Sequence, residues 1–394
     1  MGRAYTLKEL CQTEITDGTH QTPIYSNSGY IFLSSKNVTK GKIDWENVSY
    51  IPESLHIELY SRISPQRDDI LLAKNGTTGV AAIVDKDEIF DIYVSLALIR
   101  PDHRLVLPRF LLYALNSDSS KRYFDSHLKG IGVPNLHLNH IRETPIWVPS
   151  LDNQRLIISK LDKLNDLISF RKQQLAKLDE LVKARFVEMF GDPVSNPRGW
   201  DTAPLVAVTA KIGSGATPKG GKESYQVEGI TLIRSMNVHD GCFVYKELAH
   251  INKEQAEQLN SVVVFEKDVF INITGASVAR SCIVPENVLP ARVNQHVAII
   301  RCKQTTLNPI FANQQFLNPA FKKKLLELGE AGGATRQAIT KQQLEALEVI
   351  LPPIEVQNQF AYFVEQTNEL HLTIRRSLDK LEVLKKSLMQ EYFG

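Results

Sequence analysis

From Ile157 onward the apolar residues of this chain fall at positions 157, 161, 164, 168, 175, 178 and 182, in steps that keep to threes, fours and sevens. That is heptad spacing, which sets a narrow apolar seam along one face of a helix. A second run repeats it at Phe360, Val364, Thr367, Ile374, Leu378, Leu381 and Leu388. Arg171 and Arg185 interrupt the first seam, and His371 and Lys385 the second. Each run predicts a helix of about 36 residues, roughly 54 Å at about 1.5 Å per residue. A seam of this kind fits a helical partner better than a sheet, so the two runs are expected to pair antiparallel, the alternative being that each packs only on its own sheet domain. The pairing would run through Ile157, Leu161, Leu164, Ile168, Leu175 and Leu178 on one side. Phe360, Val364, Ile374, Leu378 and Leu381 supply the other side. Pro149 and Pro352, followed by Asp152 and Glu355, mark the helix starts. Gly191 and Pro193 stop the first helix.

The rest of the chain reads differently. Apolar runs such as Ile70–Ala73, Val80–Val84, Val262–Phe265 and Val297–Ile300 are short, rich in β-branched residues and punctuated by Gly, Asn and Pro. One or two helices are expected in each copy, near Pro108–Leu115 and Phe311–Leu328. The fold class is therefore α+β, with a curved or barrel-like sheet preceding each long helix.

These two halves are copies. Pro149–Gly191 returns as Pro352–Gly394 without a gap, and 12 of the 43 paired positions are identical, where chance would leave about two or three. Upstream, Gly29–Val38 aligns with Gly229–Val238, Asp69–Gly76 with Asp268–Gly275, and Ser95–Arg100 with His296–Arg301. The period is too long for a solenoid and indicates duplicated domains with pseudo-two-fold character. The expected boundaries are 1–148, 149–191, a linker at 192–199, 200–351 and 352–394.

Composition narrows the class without naming it. At 43% hydrophobic and 23% charged residues, the chain can build ample cores. It lacks an apolar run long enough to span a membrane or act as a secretory signal. Cys11, Cys242, Cys282 and Cys302 show no Cys-x-x-Cys spacing and are expected as small buried residues, which points to a reducing cytoplasm. A net charge of +2 neither demands nor forbids a nucleic-acid partner.

Catalytic patterns are missing. Gly213–Lys222 departs from a phosphate loop at Ala216 and Glu223 and reads as a flexible glycine-rich loop. Asn196-Pro197, Asn308-Pro309 and Asn318-Pro319 all lack the second proline of an adenine-methyltransferase motif. His137 and His140 have no further ligands at zinc spacing. Asp162, Glu365, Asp166 and Glu369 read as a solvated helix face. The duplicated loops are better candidates, because Lys, Arg, Asn, Thr and Ser after a strand can meet phosphates or base edges. They are Lys36, Asn37, Lys74, Asn75, Thr77 and Thr78 in the first copy, and Arg234, Asn237, Thr274, Ser277 and Arg280 in the second. Asn37 and Asn237 have an equally good reading as turn formers. Gly76 and Gly275 read as structural.

Taken together, Pro149-x-x-x-x-Gln154 opening a heptad helix, Phe190-Gly-Asp-Pro193, Asn196-Pro-Arg-Gly-Trp200 and the return of the unit at 352–394 resemble the specificity subunit of type I restriction-modification enzymes. The resemblance spans the whole chain and rests on the set, not on one motif. It implies two target-recognition domains, at 1–148 and 200–351, each reading half of an interrupted double-stranded DNA site. It also implies that the helices set the spacer and dock two methyltransferase subunits, and that two motor-nuclease subunits can join for cleavage. S-adenosylmethionine, and ATP with Mg, would sit on those partners and no cofactor on this chain. Two other readings stay open at this point: a coiled-coil adaptor with protein-binding ends, and a self-contained methyltransferase with degenerate motifs.

Overall fold

A computed structural model describes residues 2–38, 41–128, 134–218, 220–330 and 337–394. The chain forms two compact units, Met1–Lys172 with Arg376–Gly394, and 173–375. Both long helices are present, Leu151–Phe190 and Ile354–Phe393, each 40 residues and so slightly longer than expected. Each begins in one unit and ends in the other.

Within each unit the two helical segments run antiparallel. In the first, Lys160 Nζ meets the Tyr392 hydroxyl at 3.2 Å, and Lys172 pairs with Glu382 at 2.9 Å. In the second, His371 lies 3.8 Å from Asp179, and Phe186 packs edge-on to Phe360 with ring centres 5.5 Å apart. The seam residues Ile157, Leu161, Leu164, Ile168, Leu175, Phe360, Val364, Ile374 and Leu378 are buried, and Leu178 and Leu381 half-buried. Two of the polar interruptions are accommodated locally. Arg185 lies over the Phe363 ring at 5.9 Å. Lys385 is half-buried, and burial, then Lys172, holds its ammonium below the usual lysine range.

The sheets repeat as closely as the helices. The first unit has a four-stranded antiparallel sheet in the order Thr16–Asp17, Leu96–Ile99, Ile70–Ala73, Ala81–Ile83. A three-stranded sheet follows, Ser49–Ile51, Tyr30–Leu33, Phe90–Ile92, whose last pair is parallel. The second unit matches with Thr209–Ser214, Val297–Cys302, Val269–Asn272, Ser281–Ile283 and with Ala249–Ile251, Ile230–Ile233, Ala291–Val293. Short strands of two to six residues thus build separate packed sheets in place of the single curved sheet expected. One more correction concerns the second half. Val262–Phe265 is no strand, because Asn260–Val262 makes a tight helical turn and only Val263 bridges to Arg292. The helical stretch expected near Phe311–Leu328 is two helices, Pro309–Leu317 and Pro319–Glu330, within the one or two expected. Pro319 has no N–H to continue the ladder, and the Asn318 side chain accepts from Ala320 N at 3.0 Å instead.

Three contacts are made twice, two holding the ends of the long helices and one bridging the two central strands of each four-stranded sheet. Gln154 Oε1 accepts from Leu107 N at 2.8 Å, and its Nε2 donates to Leu105 O and Pro149 O at 3.0 and 2.9 Å. Gln357 repeats this with Asn308 N, Thr306 O and Pro352 O at 2.9, 3.1 and 2.7 Å. Arg100 holds Asp69 in a two-pronged bridge at 2.8 and 2.7 Å, and Arg301 holds Asp268 at the same distances. Phe393 packs on Phe110 with ring centres 5.2 Å apart, and Phe190 on Phe311 at 4.8 Å. Each long helix therefore starts on the sheet domain that precedes it and ends on the core of the other unit.

The solvated-face expectation fails at Asp162. Its carboxylate accepts from Arg109 Nε at 2.7 Å and from the Tyr113 hydroxyl. Burial, then Asp162, pushes the Tyr113 hydroxyl up, so it remains a donor. Of the cysteines, Cys282 and Cys302 are buried, Cys11 half-buried and Cys242 exposed, so the expectation of four buried thiols does not hold.

Candidate nucleic-acid interface

Of the duplicated loops, those at Gly76 and Gly275 follow strands of the four-stranded sheets, and those at Asn37 and Asn237 follow strands of the three-stranded sheets. Gly76 and Gly275 have φ of 76° and 72°, backbone that favours glycine, and so carry the turn after Ala73 and Asn272. Around them the candidates separate. Asn37 is buried, with Oδ1 accepting from Ser34 N at 2.9 Å and Nδ2 donating to Asn47 O at 3.0 Å. Asn237 is buried in the same way, bonded to Arg234 N at 3.1 Å and Val244 O at 2.9 Å. Both amides brace their own loops, the turn-former role. Lys74 is buried too, in an ion pair with Asp17 at 3.0 Å. Arg234 lies over the Tyr225 ring at 5.4 Å and donates to Glu247 O. Lys36 and Thr77 are exposed, and Asn75, Thr78, Thr274, Ser277 and Arg280 half-buried. His137 caps the short helix Leu138–Arg142, and among the described residues no three His, Cys, Asp or Glu side chains form a metal site. In the glycine-rich loop, Lys219 and the side chain of Lys222 lie outside the described residues.

One polar chain in the second unit was not legible from motifs. Thr217 Oγ1 donates to Gln295 Oε1 at 2.6 Å, Gln295 Nε2 meets His296 Nε2 at 3.0 Å, and His296 Nδ1 meets Thr274 Oγ1 at 2.5 Å. Strand register shows what occupies the same places in the first unit. Asp17 pairs with Ala97 as Ser214 pairs with Ala298. Gly18 and Gly215 then occupy one position, and a Cβ on either would strike a backbone carbonyl, that of Ile92 at 1.9 Å or of Val293 at 1.7 Å. Two residues on, His20 stands where Thr217 does. Lys74 takes the place of Ile273, since their N–H groups bond Ser95 O and His296 O at 2.9 and 3.0 Å. Asn75, Val94 and Ser95 match Thr274, Gln295 and His296. The signal in the sequence was the mismatch between copies at these aligned sites, which a search for shared residues passes over.

The family model for the type I restriction modification DNA specificity domain matches residues 5–180 and again residues 197–383. An inferred specificity subunit of the type I restriction enzyme MjaX, from Methanocaldococcus jannaschii, is 23% identical over 381 residues, covering 92% of this chain and 85% of its own. The specificity subunit of type I restriction enzyme EcoBI from Escherichia coli is 22% identical over 315 residues, covering 72% and 65%. The crystal structure of a type I restriction-modification S subunit from M. genitalium shares the fold, with a TM-score of 0.62 over 100% of this chain and 96% of that one at 12% identity.

Proposed function

The chain belongs to the type I restriction-modification DNA specificity family, and on that premise we propose that it is the non-catalytic subunit that selects the DNA site for methyltransferase partners in the cytoplasm. The recognition domains, 1–148 and 200–351, each read one half of a two-part site in duplex DNA. The observation that carries this is the repeat itself: one frame of sheets, glycines and Asp–Arg bridges built twice, with different side chains at equivalent positions beside Gly18 and Gly215. A two-part reader suits a two-part target. The linker 192–199 lets the chain begin the second copy, and the helices 149–191 and 352–394 set the distance between half-sites.

The helices also suit two equivalent partners. Leu167 and Leu370 are identical in the repeat and expose 47% and 49% of their surface; Leu181 and Leu384 expose 48% each. Each unit shows one leucine from either pair, Leu167 with Leu384 and Leu181 with Leu370. Apolar side chains kept outside in both copies suit docking of two methyltransferase subunits. Those subunits would carry S-adenosylmethionine, and motor-nuclease subunits with ATP and Mg would add cleavage. Mapping methylated bases in cells that express the chain with its methyltransferase should yield one interrupted motif. Absence of any motif would sink the assignment. Leu167→Glu with Leu384→Glu should abolish co-purification of one of the two methyltransferase subunits, and unchanged stoichiometry would refute that docking face.

A further inference from the structure

We propose that the cluster at the Gly18/Gly215 strand end includes the base-reading groups of each unit, His20 in the first and Gln295 in the second, and that Gln295 reads an adenine in the half-site of the second unit. The inference rests on the DNA-specificity reading and goes further by assigning residues. The two units share the frame that carries this spot: Gly18 with Gly215, Asn37 with Asn237, Gly76 with Gly275 and, at the opposite end of the same strands, Asp69–Arg100 with Asp268–Arg301. Within the cluster all five positions differ. The first unit has His20, Lys74, Asn75, Val94 and Ser95, and the second Thr217, Ile273, Thr274, Gln295 and His296. A frame held constant around a replaced cluster is what two readers of different sequences require.

The chemistry of the second cluster is specific. Gln295 Nε2 donates to His296 Nε2, which must then be bare, so the ring proton sits on Nδ1 and goes to Thr274 Oγ1. Gln295 Oε1 accepts from Thr217. A carboxamide has two N–H groups and two lone pairs on oxygen, so one of each remains. That donor and acceptor, on a half-buried side chain braced from both ends, match N7 and the N6 amino group of adenine in the major groove. In the first unit His20 is bonded to Asp17 at 3.2 Å and leaves 70% of its side chain exposed. Asn75 nearby has a buried Oδ1 without a hydrogen-bond partner among the described residues.

The test uses the full chain assembled with its methyltransferase subunits. Methylated motifs are mapped for the native chain, Gln295→Ala and His20→Ala. Gln295→Ala should lower discrimination by about 10- to 100-fold at one adenine of one half-site, leaving the other half-site intact as a control for folding. His20→Ala should alter only that other half. Should a variant stop methylating, competition binding to duplexes changed one base pair at a time replaces the map. Loss confined to one half supports the assignment, and equal loss across both halves overturns it. An unchanged motif in both variants also overturns it, whereas a native complex with no two-part motif would fault the functional reading instead.

Discussion

At the scale of single residues, repetition marks structure and difference marks function. Asp268 is fully buried and bonded to both Arg301 and Phe265 N, the latter at 2.8 Å. Replacing it with Asn leaves the largely buried Arg301 guanidinium without its counter-charge, which costs about 3 kcal/mol. A urea titration of Asp268→Asn should show that loss, and Asp69→Asn a similar one; stability within 1 kcal/mol of the native chain, about a five-fold change in equilibrium constant, would refute the role. The aligned Asp and Arg were visible in the sequence, but that they form one bridge was not, since 31 and 33 residues separate the partners. Lys74 shows the same limit, since nothing in the sequence places Asp17 beside it.

At the scale of elements, the long helices were the most legible part, because heptad spacing over so many turns has no strand alternative. Their start and stop signals were legible too, but what holds the ends was not. Gln154 and Gln357, identical in the repeat, are each fully buried and clamp a helix start with three hydrogen bonds. Gln357→Leu strands Asn308 N and two carbonyls away from partners and should cost about 3 kcal/mol or more at about 1 kcal/mol or more per orphaned group, read as a lower Tm. At the other end Phe190 is buried among Phe186, Phe311 and Phe360. Phe190→Ala should cost about 3–5 kcal/mol through the cavity it leaves, and a loss below 1 kcal/mol would mean the helix end is not anchored. The strand order stayed hidden because the strands are too short to show period-two alternation, and their pairings, such as Ile31 with Phe90, are distant in sequence.

At the scale of the whole molecule, the duplication made two similar halves legible from the start, but not how the chain divides them. If the helices set the spacer, adding seven residues to both at matched positions should lengthen the methylated motif by about three base pairs, since about 10.5 Å of helix corresponds to three steps of duplex. The same insertion in one helix should abolish methylation. A motif of unchanged length after matched insertion would rule the ruler out. The exchange of helix ends has a consequence for biosynthesis. The core around Phe110 takes in Leu388, Met389 and Phe393, residues that leave the ribosome more than two hundred positions after the first unit's sheets. The part translated first is therefore finished last, and until then it holds an apolar groove open to solvent. A ribosome that stalls in the second half leaves behind a sticky intermediate that chaperones must shield.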